Sequence, residues 1–460
     1  MGASKRFLGA LIGAICVTGS AGAEDLIDIY ELAIDSDPAL QAARARQRST
    51  NELERQAFSN FLPQISGSAS MNQGTNEFSI AGNLVNDQDT DTERLGVDLR
   101  QSIYDHGNFK QLDISRAQGA QAESNYQVAL QDFVLRGAER YFAVLTAEDG
   151  LDFAKAEERA VGRQLEQAEQ RYEVGLTAIT DVHEAQASFD NARARVIVAE
   201  NQLNDALEAL AELAGQLPDD RLDELQEELP TDMPEPVDRE AWVGMAIENN
   251  PALQSRREAV EIAEETVALN RSDFYPTLSA TVSYSEFTNN EFILRDDLQR
   301  PIATVDSVSE DASIGVQLNV PIYTGGRTNS RVRQAVADLE AAQEDYEAEY
   351  RAVVRQTRNA FRGTEASILE VEARRQALIS AESALEATEA GFEVGTRTIV
   401  DVLLSQQRLF QAQRDHSQSR HEYILNILRL KLSAGVLTRE DIEEINALLV
   451  TPAPETAPTT

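Results

Sequence analysis

The feature that most constrains this chain is a duplication with a very long period. Asp37-Pro38-Ala39-Leu40 recurs as Asn250-Pro251-Ala252-Leu253, and Phe61-Leu62-Pro63 recurs as Phe274-Tyr275-Pro276. Ile103-Tyr104 recurs as Ile322-Tyr323. The stretch from Glu173 to Gln186 recurs as Glu393 to Gln406, sharing Glu, Val, Gly, Ile, Asp, Val and Gln. The period is too long for a solenoid, whose units are about 20–50 residues. It means duplication of a whole half. Repeat one covers 24–215 and repeat two 237–435. Residues 216–236, rich in Pro, Asp and Glu, read as a linker. Residues 436–460 read as a C-terminal segment ending in a Pro/Thr/Ala tail without fixed structure.

Each repeat changes periodicity in the same order. Residues 24–60 and 237–273 are helical in composition, until Pro63 or Pro276 stops the helix. Period two begins there. Ile65, Gly67, Ala69 and Met71 alternate with polar residues, and so do Leu278, Ala280, Val282 and Tyr284. A second alternating run follows in each copy, through Leu95, Val97 and Leu99 and through Ile314, Val316, Leu318 and Val320. This places strands at about 63–73, 93–104, 276–286 and 311–323. Long polar loops, Gln73 to Asp91 and Glu286 to Asp311, are expected between the paired strands. Outer-membrane hairpins use long external loops, whereas compact domains rarely do. Phe61, Tyr104, Phe274, Tyr275 and Tyr323 sit at the other strand ends, where an interfacial aromatic girdle belongs. A small soluble β-sandwich is the alternative reading.

Long proline-free segments then run from about Gly107 to Gly175 and from Gly326 to Gly395. As continuous helices they would reach about 100 Å at ~1.5 Å per residue. The returning helices end in apolar stripes, Leu203, Leu207 and Leu210 in one copy and Tyr423, Ile427 and Leu430 in the other. A sheet in lipid must close, because an open edge leaves backbone groups unpaired. Known closed barrels need at least about eight strands, and this chain has four. A barrel must therefore be shared, with two or three chains supplying eight or twelve strands.

The chain carries 78 acidic against 41 basic residues, a net charge of −37. That argues against a nucleic-acid partner. Lys5-Arg6, the apolar run Phe7 to Val17 and Ala21-Gly22-Ala23 read as a secretory signal over residues 1–23, which holds Cys16, the one cysteine. No phosphate loop, nucleophile elbow or Cys/His cluster is present. His106, His183, His416 and His421 read as surface residues. The chain is therefore expected to be no enzyme, with no cofactor and no metal site. A periplasmic coiled-coil scaffold or adhesin without a channel, and an exported enzyme with a helical insertion, are the competing functions.

The order of helix, strand pair and long helices, twice over, resembles the TolC family of outer-membrane efflux and secretion proteins. Its sharpest piece is Phe392-Glu393-Val394-Gly395-Thr396-Arg397-Thr398-Ile399-Val400-Asp401-Val402-Leu403, which looks very like the family's second-repeat periplasmic tip. Val174-Gly175-Leu176-Thr177-Ala178-Ile179-Thr180-Asp181-Val182 matches the first-repeat tip, and Ile322-Tyr323-x-Gly325-Gly326 the strand-to-helix turn. The resemblance implies a mainly α trimer. Its twelve-stranded outer-membrane β-barrel would continue into a periplasmic coiled-coil tunnel, with the linker and C-terminal region forming an equatorial belt. It implies a passive exit duct for tripartite efflux or type I secretion. A periplasmic adaptor would link it to an inner-membrane transporter of ABC, RND or MFS type.

The resemblance also assigns roles at the tip. Arg397 and the residues Thr180 and Asp181 would link neighbouring tips and hold the entrance shut, by bonds of roughly 1.5–3 kcal/mol each. Phe392 stands where the family lock has a tyrosine hydroxyl. Asp401, three times around an axis, would form a carboxylate ring favouring cations. The family's second ring position is Leu404 here. Val174, Gly175, Leu176, Val394, Gly395 and Thr396 match the adaptor-docking surface. The local chemistry expects Thr177 and Thr398 to cap the returning helices.

Overall fold

The computed structural model describes residues 25–80, 83–218, 221–295 and 301–451. The signal reading of residues 1–23 and the tail beyond Thr451 lie outside these residues. Short helices α1 (Leu26–Ser36) and α2 (Pro38–Ser59) lead to strands β1 (Gln64–Ile80) and β2 (Asn83–Tyr104), then to α3 (His106–Glu173) and α4 (Ile179–Ala214). After β3 (Glu224–Leu225), the plan repeats as α5 (Arg239–Asn249), α6 (Pro251–Ser272), β4 (Thr277–Arg295), β5 (Pro301–Asn319), α7 (Arg327–Glu393) and α8 (Ile399–Ser433). The chain closes with α9 (Arg439–Asn446) and β6 (Leu449–Val450). The fold is mainly α with one sizeable sheet.

The repeated Asx-Pro starts act as helix starts. The side chains of Asp37 and Asn250 accept from the amides two and three residues on, and Pro38 and Pro251 take the first helical position. α3 has 68 residues and α7 has 67, about 100 Å each at ~1.5 Å per residue.

The large sheet has the order β1-β2-β4-β5, antiparallel throughout. Its register aligns the alternation of all four strands. Ile65, Leu99, Val282 and Ile314 form one row across the sheet, and Gly67, Val97, Tyr284 and Ala312 the next on that face. The opposite face carries Ser66, Asp98, Ser283 and Ser313. Nothing among the described residues covers the apolar face: Ile65 is 70% exposed and Ile314 83%. A β-sandwich, which packs two inner faces together, is therefore not formed. Between Leu278 and Tyr284 the face runs apolar for about 20 Å at ~3.3 Å per residue. Glu286 and Glu310, paired on that face, end it.

The long polar loops expected between the paired strands are a correction. The ladder continues to Ile80↔Asn83 and to Arg295↔Pro301, so most of both stretches is strand. Polar alternation beyond the apolar band still pairs backbone to backbone, and neither Gly74 nor Pro301 interrupts a central ladder position.

In the half nearer the sheet, helices pack in the order α2-α3-α6-α7. In the far half the order is α4-α3-α8-α7. The main core lies between these halves, where Phe133, Tyr141, Phe142, Leu210, Ile424 and Leu428 are buried together. The apolar stripes of the returning helices feed it through Leu210 and Tyr423, while Leu430 is buried in a smaller cluster with Trp242 and Phe361. At the main core β3 pairs with β6, so the linker and the C-terminal segment are hydrogen-bonded to each other.

Candidate functional site: the helix tips and the equatorial clasp

Both hairpin tips use one device. α3 and α7 end at Val174 and Val394, and Gly175 (φ 77°) and Gly395 (φ 79°) turn the chain in the left-handed region that glycine adopts freely. The flanking Val174, Leu176 and Val394 are 69–75% exposed. One small apolar cluster joins the two hairpins: Val161, Ala168, Ala185, Ile399 and Leu403 are buried, with Phe392 packed against them. Arg171 of α3 lies over the Phe392 ring at 4.7 Å, worth about 0.5–1 kcal/mol for a partly exposed cation–π contact.

The two returning helices start differently. In the second repeat Thr398 and Asp401 form a complete capping box. The amide and hydroxyl of Thr398 both donate to Asp401 Oδ2 at 2.9 Å. These bonds, with Arg397 adding, hold the Asp401 carboxyl below the usual carboxylate range. In the first repeat the cap position is Ala178, which has no side-chain acceptor, and the Thr177 hydroxyl donates to Asp181 instead. Side-chain capping was expected of both Thr177 and Thr398; only Thr398 performs it.

Among the described residues Arg397 makes no ion pair or side-chain hydrogen bond, and Thr180 is exposed without a side-chain partner. Arg397, Thr180 and Asp181 are thus not brought together inside one chain. What positions Arg397 is Gly391. The Gly391 carbonyl accepts from the Thr396 and Arg397 amides and from the Thr396 hydroxyl. A Cβ on Gly391 would stand 2.8 Å from Arg397 Cγ. Sequence reasoning missed Gly391 and Arg171. A glycine one turn before the repeat motif, absent at the equivalent Arg171, was the signal for the first.

Above the tip, Glu157 of α3 is 1% exposed and holds two helices. Arg195 of α4 grips it with Nε and Nη2 at 3.1 and 2.9 Å, and Arg414 of α8 lies at 3.7 Å.

At the equator the linker is clasped to α3 and α8. Arg420 donates to the Leu225 and Gln226 carbonyls, Tyr141 to the Asp223 carbonyl, and Tyr423 to the Asp232 carbonyl. Arg221 meets Asp152 and Glu224, with Glu148 at 4.0 Å. Burial pushes Glu148 up to about 7; Arg221 opposes the shift, and Glu224, Asp149 and Asp152 add to it. His421 corrects the surface reading of the histidines. It is 5% exposed, bonded to the Thr146 hydroxyl at 2.8 Å beside the Phe142 ring, and pushed down to about 3 by burial with Arg420 adding. It serves as a neutral core side chain. No group of three or more metal-ligating side chains occurs among the described residues.

The comparisons with known proteins agree on one family. The profile described as outer membrane efflux protein matches residues 29–216 and 242–436, the two repeats. The chain is similar to the outer membrane protein TolC of Vibrio cholerae, 38% identical over 96% of this chain and 97% of the relative. It is similar to the alkaline protease secretion protein AprF of Pseudomonas aeruginosa, 28% identical over 97% and 92%. In fold it matches the crystal structure of the outer membrane protein VceC of Vibrio cholerae, with a TM-score of 0.72, 20% identity, and 89% and 96% of the two chains covered.

Proposed function

We propose, from the premise that this chain belongs to the outer membrane efflux protein family, that three copies form one gated exit duct. The chain is an outer-membrane channel of the kind used for efflux and type I secretion. The observation that carries the assembly is the sheet. Four strands end in two unpaired edges, β1 and β5, and present an apolar face that the described residues leave uncovered. In lipid both edges must find partners. Three copies give a twelve-stranded barrel with the serine- and threonine-rich face inward as a wet lumen. The long helices continue that lumen across the periplasm.

The tips are the gate. Arg397 forms no ion pair or side-chain hydrogen bond among the described residues, and Thr180 and Asp181 offer acceptors; across a subunit boundary they would close the entrance. Asp401, kept ionised by its capping bonds, repeats three times around the axis and favours cations. The exposed Val174–Leu176 and Val394–Thr396 tips are where a periplasmic adaptor would dock, coupling the duct to an inner-membrane transporter that supplies the energy. Single-channel recording in planar bilayers tests the gate. Replacing Arg397 and Asp181 together by alanine is expected to raise the resting conductance severalfold. Unchanged conductance removes them from the lock.

A further inference from the structure

Two exposed stripes of the helical part, one on α7 and one on α4, carry opposite charge. α7 forms one edge, packing chiefly on α6 and α8 and, beside the arginines, on α5. On its outer side lie Arg351, Arg355, Arg358 and Arg362, at helical spacing on one face and all exposed. The buried face of α7, through Val353, Thr357, Phe361 and Thr364, points the other way. Arg239 of α5 joins them around an open groove of about 680 Å³. Two acids pair with them, Glu240 with Arg358 and Arg239, and Glu347 with Arg351, while exposed Glu365 ends the stripe one turn beyond Arg362. Among the described residues Arg355 forms no ion pair or side-chain hydrogen bond, and Arg362 bonds only Asn359.

The opposite edge in the far half is α4. Its buried face is Ala192, Val196, Ala199, Leu210 and Leu213. Its outer face carries Asn201, Asp205, Glu208 and Glu212, all exposed, at the same spacing as the arginines. Among the described residues Glu208 and Glu212 form no ion pair; the cavity that Glu212 lines also holds Arg140 and Arg136, the latter paired with Asp37.

The stripes lie at the same depth. The apolar cluster at the tips sets the end of α7 level with the start of α4. At ~1.5 Å per residue, Arg358 and Arg362 stand about 53 and 47 Å above Glu393. Glu208 and Glu212 stand about 44 and 50 Å above Ile179. We infer that the arginine stripe of α7 is the docking surface for a second copy of this chain, receiving Glu208 and Glu212 of its α4 and setting the register in which tunnel subunits join. This rests on the trimer reading above and adds to it which faces meet, at what height and by what force.

The test uses the full chain in membranes; its one cysteine lies in residues 1–23, outside the described part. Arg362→Cys combined with Glu212→Cys should give subunit ladders with a short bis-maleimide crosslinker. Either substitution alone should not, nor should Arg351→Cys with Glu212→Cys, since Arg351 stands about 13 Å from Glu212 along the tube by the same helical rise. Arg358→Glu/Arg362→Glu should weaken subunit association at least about tenfold, and adding Glu208→Arg/Glu212→Arg should restore it. A trimer that forms normally, shows no Arg362–Glu212 crosslink and ignores the reversals overturns this inference and leaves the trimer standing. A monomeric unsubstituted chain in membranes overturns the trimer reading itself.

Discussion

Glu157→Ala removes a carboxylate that two helices share, and the cost follows from its surroundings. The carboxylate is 1% exposed, while the guanidinium groups of Arg195 and Arg414 sit on side chains 38% and 32% exposed. Deleting one partner of a buried pair costs about 3–5 kcal/mol when the survivor stays desolvated. Here water reaches both survivors, which lowers the figure to about 2–3 kcal/mol. Arg195 with its two bonds at 2.9 and 3.1 Å accounts for most of it. The loss is local, because this node pins α4 to α3 beside the thin cluster of Leu151, Ala154, Val196 and Ala199. Amide hydrogen exchange reads such local opening directly. Protection of α4 around Val196 and Ala199 should fall about 30- to 150-fold, the equivalent of 2–3 kcal/mol. Glu157→Gln keeps the shape and an acceptor but loses the charge, and should fall by about tenfold. A change of less than threefold for Glu157→Ala would refute the reasoning, since it would mean the ion pair only balances its own desolvation.

Gly391→Ala should displace Arg397 without touching it, since the new Cβ would meet Arg397 Cγ at 2.8 Å and Thr396 Oγ1 at 3.2 Å. Resting conductance should rise as it does for loss of Arg397, while the helix itself gains about 0.5–1 kcal/mol from the better helix former; an unchanged closed state would refute it. Glu148 makes the equatorial clasp respond to pH. Its folded-state value of about 7 lies above the ordinary glutamate value. Its proton is then held by the native state and released by the unfolded one between about 4.5 and 7. The stability from this group is fully present below that window and fades as pH rises through it. His421, depressed to about 3, works in the opposite sense at lower pH, losing stability on acidification below about 6.5. Glu148→Gln should therefore flatten the change in heat resistance between pH 5.5 and 8; identical slopes in both proteins would count against the clasp.

The duplication, the strand alternation and the tip glycines were legible because each is a local pattern with a local cause. Asx-Pro starts a helix wherever it occurs, and Ile65, Leu99, Val282 and Ile314 share a face once the register is set. The strand ends were not legible. From Gln73 to Asp91 the side chains carry no apolar rhythm, and what keeps that stretch in strand is backbone pairing, which sequence does not display. His421 was misread for a related reason. Its helix is polar in sequence, and only the approach of Phe142 and Thr146 from α3 buries the ring. The missing cap at Ala178 was equally invisible, because Thr177 is close enough to cap and is diverted to Asp181.

Duplication makes the two halves alike, yet a closed ring needs each subunit to end in two different edges. In the sheet the difference costs nothing, because any unpaired strand can pair with any other once the apolar faces align; β1 and β5 are interchangeable as hydrogen-bonding partners. Helix faces have no such generality. α4 and α7 are not equivalent elements of the two repeats: α7 corresponds to α3, and α4 to α8. The inner pair, α3 and α8, meet each other within the chain, so it is the outer members, α4 and α7, that remain to be covered. Charge is the simplest way to keep such outer faces soluble and still selective. Loading glutamate on one and arginine on the other lets a subunit refuse its own kind of edge while accepting the complementary one. The arginines of α7 then have a cause that the general acidity of the chain does not supply: they stand where the next subunit brings Glu208 and Glu212.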